Sequence, residues 1–161
     1  MSLKFIIPFF FMIVNAAGHA SCIGINCTCT TTANTVAFGS YNPVSGTALT
    51  ATGNVAVTCS ALVAGLNVSY VIALNAGQNG SFSARKMAMG SSLLQYNLYT
   101  SSTYTSVWGD GASGTSTVSD SYLLSLLSVT RNYAVYGSMP VSQNVVPGTS
   151  YADTITVTVT Y

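Results

Sequence analysis

The stretch Thr154-Ile155-Thr156-Val157-Thr158-Val159-Thr160-Tyr161 alternates polar and apolar side chains without interruption. Successive side chains of a β-strand point to opposite faces, so Ile155, Val157, Val159 and Tyr161 would share one face and the threonines the other. Threonine, valine and isoleucine also favour strands, because their branched side chains pack well on a pleated surface. The stretch therefore predicts a half-buried β-strand.

Shorter segments upstream alternate in the same way. Their inward-facing sets would be Val55, Val57 and Cys59; Val68, Tyr70, Ile72 and Leu74; and Leu94, Tyr96 and Leu98. Turn signals such as Asn42-Pro43 and Asn79-Gly80 separate these segments. Many short strands without a long helical period predict an all-β sandwich. The segment Tyr122 to Leu127 is the one helix candidate, and it equally fits a buried strand.

The alternating C-terminal stretch is followed by no residues that would pair with its free edge. Open strand edges invite association with another chain. In strand addition, main-chain hydrogen bonds give affinity and pockets for alternate side chains give specificity. The sequence thus suggests a partner strand, although the pattern also fits a strand that lies inside a complete sheet.

The first residues predict a secretory signal peptide. Lys4 precedes an apolar run from Phe5 to Val14, and small residues follow up to Ala20. The run is about ten residues long, whereas a membrane-spanning helix needs about 20. We expect cleavage after Ala20, with Ala16 as the alternative site, or an uncleaved anchor. The expected organisation is a signal peptide at residues 1–20 and one domain at residues 21–161.

The composition excludes most kinds of active site and binding site. The expected mature chain carries very few charges, namely Arg85, Lys86, Arg131, Asp110, Asp120 and Asp153. Three scattered cations supply no basic face for nucleic acid. The sole histidine, His19, lies in the predicted signal peptide or next to it, so a Ser-His-acid triad lacks its base. We therefore expect no enzyme activity, no cofactor and no small-molecule substrate.

The aspartates leave two formal possibilities open. A catalytic carboxylate pair would need two of them to meet in space, but each sits in or beside a turn-like stretch, where aspartate commonly bonds to its own backbone. The alternative of a calcium loop at Gly109-Asp110-Gly111 is disfavoured, because a calcium cage needs several oxygen ligands at set spacing and this tripeptide has one carboxylate. A tight hairpin turn is the preferred interpretation of that tripeptide.

Four cysteines, Cys22, Cys27, Cys29 and Cys59, follow the predicted export signal. Oxidised pairs are the default in exported domains, and four cysteines allow three connectivities. A metal site at Cys27-Thr28-Cys29 is disfavoured, because one intervening residue is too few for the usual zinc spacing. Spacing alone does not choose among the connectivities.

The leucines Leu123, Leu124, Leu126 and Leu127 form an apolar run near the helix candidate. They would fill the core or form an exposed contact patch, since exposed apolar patches often mark interaction sites. We prefer the core, because leucine is its usual filler.

Several motifs, taken in order, are similar to one known family. They are Val36–Pro43, Gly53–Cys59, Tyr96–Tyr99, Val107–Gly111, Val135–Gly137 and Tyr151–Val159. Together they resemble the spore coat protein U domain family, which includes the Csu-type pilins of archaic chaperone-usher systems. The resemblance covers the chain from about Cys29 to Tyr161.

The resemblance implies an incomplete immunoglobulin-like β-sandwich that lacks its last strand and is completed by a donor strand. The implied partners are a periplasmic chaperone, an outer-membrane usher and neighbouring pilus subunits, and the implied destination is the cell surface or the medium. The family disulfide maps onto Cys29 and Cys59, with Cys22 and Cys27 paired together or one of them reactive. The implied contact face for chaperone or donor is Ile155, Val157, Val159 and Tyr161.

The start of the expected domain departs from the family pattern. A self-polymerising pilin carries an alternating apolar donor segment before its first family cysteine, whereas here only Ser21 to Thr28 is available, with Ile23 and Ile25 as candidate inserts. We therefore expect a minor or tip subunit with a role in adhesion or biofilm formation. The alternatives are a spore or cell coat protein of the same fold and a repeating shaft pilin.

Overall fold

The computed structural model describes residues 3–5, 22, 26–125, 127–147 and 150–161. Within these residues the chain forms β-strands and no helix, which confirms the predicted all-β class. The strands are β1 (Leu3–Phe5), β2 (Thr28–Asn34), β3 (Gly39–Tyr41), β4 (Leu49–Ser60), β5 (Leu66–Leu74), β6 (Arg85–Met89), β7 (Ser92–Tyr99), β8 (Val118–Leu124), β9 (Ser128–Met139) and β10 (Val157–Thr160). The helix candidate at Tyr122 to Leu127 is strand up to Leu124.

The strands form two main sheets in which every pairing is antiparallel. The larger sheet has the order β2-β4-β9-β7-β6, and the smaller sheet has the order β10-β5-β8. β1, which lies in the predicted signal peptide, pairs with β3 in a separate two-stranded ribbon.

The order of the strands is that of an immunoglobulin-like sandwich. In that fold strands A, B, E and D form one sheet, and strands C, F and G form the other. If β2, β4, β5, β7, β9 and β10 are lettered A to F along the chain, the larger sheet contains A-B-E-D and the smaller sheet pairs C with F. Within the described residues no strand pairs with β10 where G would lie. The fold is an incomplete immunoglobulin-like sandwich, as the resemblance implies.

The core lies between the two main sheets. The inward residues of β5 (Val68, Tyr70, Ile72 and Leu74) and of β7 (Leu94, Tyr96 and Leu98) are buried. Trp108 reaches this layer from the loop between β7 and β8, and its indole Nε1 donates a hydrogen bond to the carbonyl oxygen of Ile72 at 3.0 Å. The indole thereby satisfies its one polar group while it fills the core.

Two disulfides lie at the end of the sandwich where β2 begins. Cys29 stands directly opposite Cys59 in the β2–β4 ladder, with 4.0 Å between their Cα atoms. Cys22 is bridged to Cys27. Of the three connectivities that the sequence left open, the structure has Cys29–Cys59 with Cys22–Cys27.

Candidate functional site

The outer edge of β10 is the most distinctive feature of the fold. β10 pairs with β5 in the register Val157–Leu74 and Val159–Ile72. Thr156 faces β5, because its carbonyl oxygen accepts from the Asn75 backbone N–H at 3.0 Å. Since alternate residues of a strand direct their main-chain groups to opposite sides, Val157 and Val159 direct theirs away from β5. In the part of the chain that the structure describes, no strand occupies that side.

The side chains of β10 and its lead-in alternate in burial. Ile155, Val157 and Val159 are buried, whereas the threonines between them and Tyr161 are half-buried. Each of the three buried side chains packs in the core cluster, and Tyr161 packs against that cluster. The strand therefore presents main-chain groups at its edge and an apolar face to the interior.

An open apolar cleft lies beside this edge, between the first and last strands of the sandwich. The cleft is narrow, with a cavity volume of about 10 Å³. Ala33 and Asn34 of β2 line one side, Val157 and the preceding Ile155 line the other, and Val36 is also part of the lining. These residues bring the edge strands of the two sheets to one cleft, at the place where strand G would complete the sandwich.

Two glycines make room for Val36 in the lining of the cleft. A Cβ atom on Gly53 would lie 2.7 Å from Val36 Cγ2. A Cβ atom on Gly137 would lie 2.7 Å from Val36 Cγ1 and 2.6 Å from Phe38 Cζ. Gly53 belongs to β4 and Gly137 to β9, so the segment after β2 packs directly on the backbone of the larger sheet.

The chain reaches β10 by crossing from one sheet to the other. Ala152 exchanges two backbone hydrogen bonds with Ala88 of β6, at 2.8 and 3.1 Å. Four residues later, Thr156 bonds to Asn75, which directly follows β5. The sequence predicted one strand from Thr154 to Tyr161, but β10 begins only at Val157, because residues 152–156 make the crossing.

Asp153 anchors the crossing through its buried carboxylate. Oδ1 accepts from the backbone N–H groups of Gln78 and Thr154, each at 2.8 Å, and Oδ2 accepts from the Tyr96 hydroxyl at 2.7 Å. Burial raises the pKa of the Tyr96 phenol, and the negative charge of Asp153 raises it further. Tyr96 is therefore held as a neutral donor.

A buried guanidinium lies in the same region. Arg85 is fully buried and donates to the carbonyl oxygens of Asn75 and Trp108 at 2.7 Å each, and to Asn97 Oδ1 at 2.7 Å. Burial lowers the pKa of Arg85, and the nearby negative charge of Asp153 opposes that shift. Sequence reasoning did not single out Arg85 as a buried residue, since strand propensity says nothing of long-range polar contacts.

Asp110, Asp120 and Asp153, from which a catalytic carboxylate pair could have come, each bond to different partners. Asp110 accepts from the Ala112 backbone N–H at 2.9 Å, inside the loop after β7. Asp120 accepts from the Tyr133 hydroxyl at 2.5 Å and lies 3.8 Å from Arg131. Gly109-Asp110-Gly111 lies in the loop that connects β7 of the larger sheet to β8 of the smaller sheet, so the predicted hairpin turn is wrong. Within the described residues, no group of three or more His, Cys, Asp or Glu side chains is arranged to hold a metal ion.

The leucine run divides between core and surface. Leu124 is fully buried, whereas Leu123 and Leu127 are 57% and 58% exposed. Leu126 lies outside the described residues. The preference for the core therefore holds for Leu124 and fails for Leu123 and Leu127. Leu123 and Leu124 face opposite sides because they are neighbours in β8, and Leu127 lies in the loop that follows.

Sequence reasoning missed the other half of this exposed surface. Leu62 and Val63, in the loop between β4 and β5, are 64% and 45% exposed. That loop meets the leucine run directly, since the Ala61 N–H donates to the Leu127 carbonyl oxygen at 3.0 Å. The apolar run from Ala61 to Ala64, next to Gly65 at a turn, was the available signal. We call Leu62, Val63, Leu123 and Leu127 the apolar end of the sandwich.

Comparisons with known proteins extend these observations. A family model described as Spore Coat Protein U domain matches residues 14–158. Among solved structures, the chain is similar to a chain of the CsuC–CsuE chaperone–tip adhesion subunit pre-assembly complex, from archaic chaperone-usher Csu pili of Acinetobacter baumannii. The TM-score is 0.51 at 22% identity, and the match covers 84% of this chain and 40% of that one. The likeness concerns the fold, and this chain spans about two fifths of the other's length. The comparison with curated proteins found no match.

No helix within the described residues has the length and apolar character needed to cross a bilayer.

Proposed function

The chain belongs to the Spore Coat Protein U domain family, and from this premise we propose that it is a structural subunit of a bacterial chaperone-usher pilus, assembled by donor-strand complementation. Its proposed partners are a periplasmic chaperone, an outer-membrane usher and neighbouring subunits. Its proposed route is export through the periplasm to the cell surface, after removal of residues 1–20. The proposed role is structural rather than catalytic.

The observation that carries the proposal is the unpaired edge of β10 beside an apolar cleft. A strand laid there would bond to the outward main-chain groups of Val157 and Val159, and it would bury apolar side chains between β2 and β10. An edge strand with accessible main-chain groups pairs readily with other chains, so a fold that presents one needs a partner strand or a cover.

A matched pair of variants on β2 tests whether the cleft accepts a strand. Ala33 lines the cleft, whereas the neighbouring Thr32 is exposed on the opposite face. Ala33→Phe would fill the space that the donor side chains need, while Thr32→Phe would leave it open. We expect Ala33→Phe to abolish co-purification with the cognate chaperone from the periplasm and Thr32→Phe to retain it. Equal recovery of the chaperone with both variants would refute strand addition at this cleft.

We propose further that the chain is a minor or tip subunit with a role in adhesion or biofilm formation. The apolar end supports this, since its four exposed side chains come from two adjacent loops and the end of β8. Contiguous exposed apolar patches often mark interaction sites, whereas single exposed apolar side chains do not.

Surface attachment of pilus-bearing cells tests the adhesive role. The variant Leu62→Ser with Leu127→Ser removes half of the apolar end, and Val44→Ser is its control, because Val44 is 87% exposed in the loop between β3 and β4 at the opposite end of β4. We expect the double variant to accumulate normally but to attach poorly, and the control to attach as the wild type does. Normal attachment by the double variant would exclude adhesion through the apolar end.

A further inference from the structure

A row of outward side chains crosses the larger sheet and the loop that follows β7. Tyr136 of β9 stands opposite Thr52 of β4 on one side and opposite Tyr99 of β7 on the other. Tyr99 in turn stands opposite Val107. The residues that precede Tyr99 and Tyr136 are buried in the core, so the two phenol rings lie on the outer face. Directly opposed side chains are about 5 Å apart, so the rings are neighbours in this outward row.

Tyr104 brings a third phenol ring to the outward row. Residues 100–106 form a loop that returns the chain from Tyr99 to Val107, closed by the bond from the Thr100 N–H to the Ser106 carbonyl oxygen at 3.1 Å. The ring centroids of Tyr104 and Tyr99 are 5.6 Å apart, and the ring planes are at 90°. Tyr104 has a φ of 54°, a left-handed conformation that bulky residues rarely adopt. The loop thus holds two perpendicular rings together as the sides of an open corner.

The segment that carries two of these rings consists entirely of hydroxyl-bearing residues. Residues 99–106 read Tyr-Thr-Ser-Ser-Thr-Tyr-Thr-Ser. In the loop, the Thr103 hydroxyl lies 2.7 Å from that of Ser101 and 3.1 Å from that of Thr105. The corner is therefore bordered by a chain of hydroxyl groups.

The phenol hydroxyls of this surface differ from those in the core. We call Tyr99, Tyr104 and Tyr136 the outer tyrosines. The core phenols of Tyr70 and Tyr96 are hydrogen-bonded inside the protein. In the part of the chain that the structure describes, the hydroxyls of the outer tyrosines have no such partner, and each ring is only half-buried. They keep their capacity to donate and accept for water or for a ligand.

We propose that the outer tyrosines form a binding site for neutral oligosaccharides. A pyranose ring has apolar C–H faces and hydroxyl groups around its rim. One face would pack on a phenol ring and bury apolar area, and the rim would bond to the phenol hydroxyls and to those of the 100–106 loop. Two rings at 90° suit this shape, because they contact a sugar on a face and on an edge.

The charge of the surface favours a neutral ligand. The outward row and the 100–106 loop contain no charged residue. Nucleic acid bases also stack on aromatic rings, but their phosphates need cations, which this surface lacks. An uncharged sugar needs no such partner, so the chemistry of the surface fits a sugar better than a nucleic acid.

The site is separate from the surfaces to which the proposed function assigns roles. Thr52 of the outward row and Ser60 lie eight residues apart in β4, which is about 26 Å along a strand. Ser60 directly precedes the loop that carries Leu62 and Val63 of the apolar end. The inference does not depend on strand exchange, because the outer tyrosines face away from the core against which β10 packs.

Calorimetric titration of the purified protein tests the site. The probes are neutral hexasaccharides of glucose, mannose and galactose, with a galacturonic acid hexasaccharide as the charged comparison. We expect at least one neutral probe to bind more tightly than the charged one. Tyr104→Ala should weaken that binding about tenfold or more, since tyrosines are among the residues that dominate binding energy. Tyr104→Phe keeps the ring and should retain most of the affinity.

A second ring and a matched control make the test specific. Tyr136→Thr removes another ring but keeps a strand-favouring side chain, and we again expect a loss of about tenfold or more. Thr130→Ala is the control, because Thr130 is exposed on the outer face of β9 away from the three rings. It should bind as the wild type does, and thermal unfolding should show that all the variants are folded.

Three results would overturn the site. The first is that no neutral probe binds, or that only the charged probe binds. The second is that the folded Tyr104→Ala or Tyr136→Thr variant binds as tightly as the wild type. The third is that Tyr104→Ala changes the oligomeric state but not sugar binding, since the surface would then be a contact between copies of the chain. None of these results bears on strand addition at the cleft.

Discussion

At the scale of single residues, two buried charged side chains, Asp153 and Arg85, stabilise the crossing through hydrogen bonds. Asp153 accepts three hydrogen bonds at the point where the chain leaves β6 for β5. Arg85 donates to Asn75, Asn97 and Trp108. A hydrogen bond to a charged group contributes about 1.5–3 kcal/mol, so the bonds of the Asp153 carboxylate matter for the stability of the fold.

In Asp153→Asn an amide nitrogen replaces one carboxylate oxygen, so the bond from the Tyr96 hydroxyl is lost and the fold should be destabilised by about 2 kcal/mol. Asp110→Asn is the control, because Asp110 is exposed in a loop, and a surface change of this kind costs about 0.5 kcal/mol or less. Denaturant midpoints of the two variants measure the difference. Similar midpoints would show that Asp153 is not the anchor of the crossing.

The buried phenol of Tyr70 should make the stability of the fold depend on pH in the alkaline range. Burial raises the pKa of this phenol from 10.0 to about 12. Because the folded pKa lies above the unfolded one, the stabilisation is fully present below pH 10 and is lost as pH rises toward 12. We expect the wild type to lose stability between pH 10 and 12, and Tyr70→Phe to lose less over that interval. Parallel pH profiles for the two proteins would exclude Tyr70 as a cause.

At the scale of elements, the close packing of Val36 on the larger sheet sets the shape of the cleft. Gly137→Ala places a methyl group against Val36 and Phe38, both of which are buried. Overpacking of this kind costs about 1–3 kcal/mol. Gly46→Ala is the control, because a Cβ there meets nothing within 4 Å.

Thermal unfolding and donor-peptide binding of both glycine variants measure the effect. We expect Gly137→Ala to lose stability and to bind a donor peptide more weakly, with Gly46→Ala unchanged in both. A stable Gly137→Ala that binds normally would mean that Val36 moves without affecting the cleft.

The strands that alternation predicted agree with the structure in their buried faces and differ from it in their bounds. Alternation correctly assigned the buried faces of β5, β7 and β10, because period two is a local property of strands. It extended β10 too far toward its start, because the pairing of Ala152 with Ala88 joins residues far apart in the chain. A local pattern also could not predict the apolar end, because two separate loops form it. For the same reason it could not predict the contacts of Arg85 with Asn97 and Trp108.

At the scale of the whole molecule, the Cys29–Cys59 disulfide supplies part of the stability that a sandwich without its last strand lacks. It encloses a separation of 30 residues between the first two strands of the larger sheet. In the chain-entropy account a loop of this size stabilises by about 3.5 kcal/mol. The bridge ties the start of β2 to β4, and the other end of β2 supplies Ala33 and Asn34 to the cleft.

The central claim is that the outer edge of β10 receives a strand, and amide hydrogen exchange tests it most directly. The N–H groups of Val157 and Val159 point away from β5, whereas those of Thr158 and Thr160 face it. The account predicts that the two valine amides exchange rapidly in the free protein and become protected when the cognate chaperone or an alternating donor peptide binds, while the two threonine amides are protected throughout. Valine amides whose exchange is unchanged in the bound protein would contradict the account.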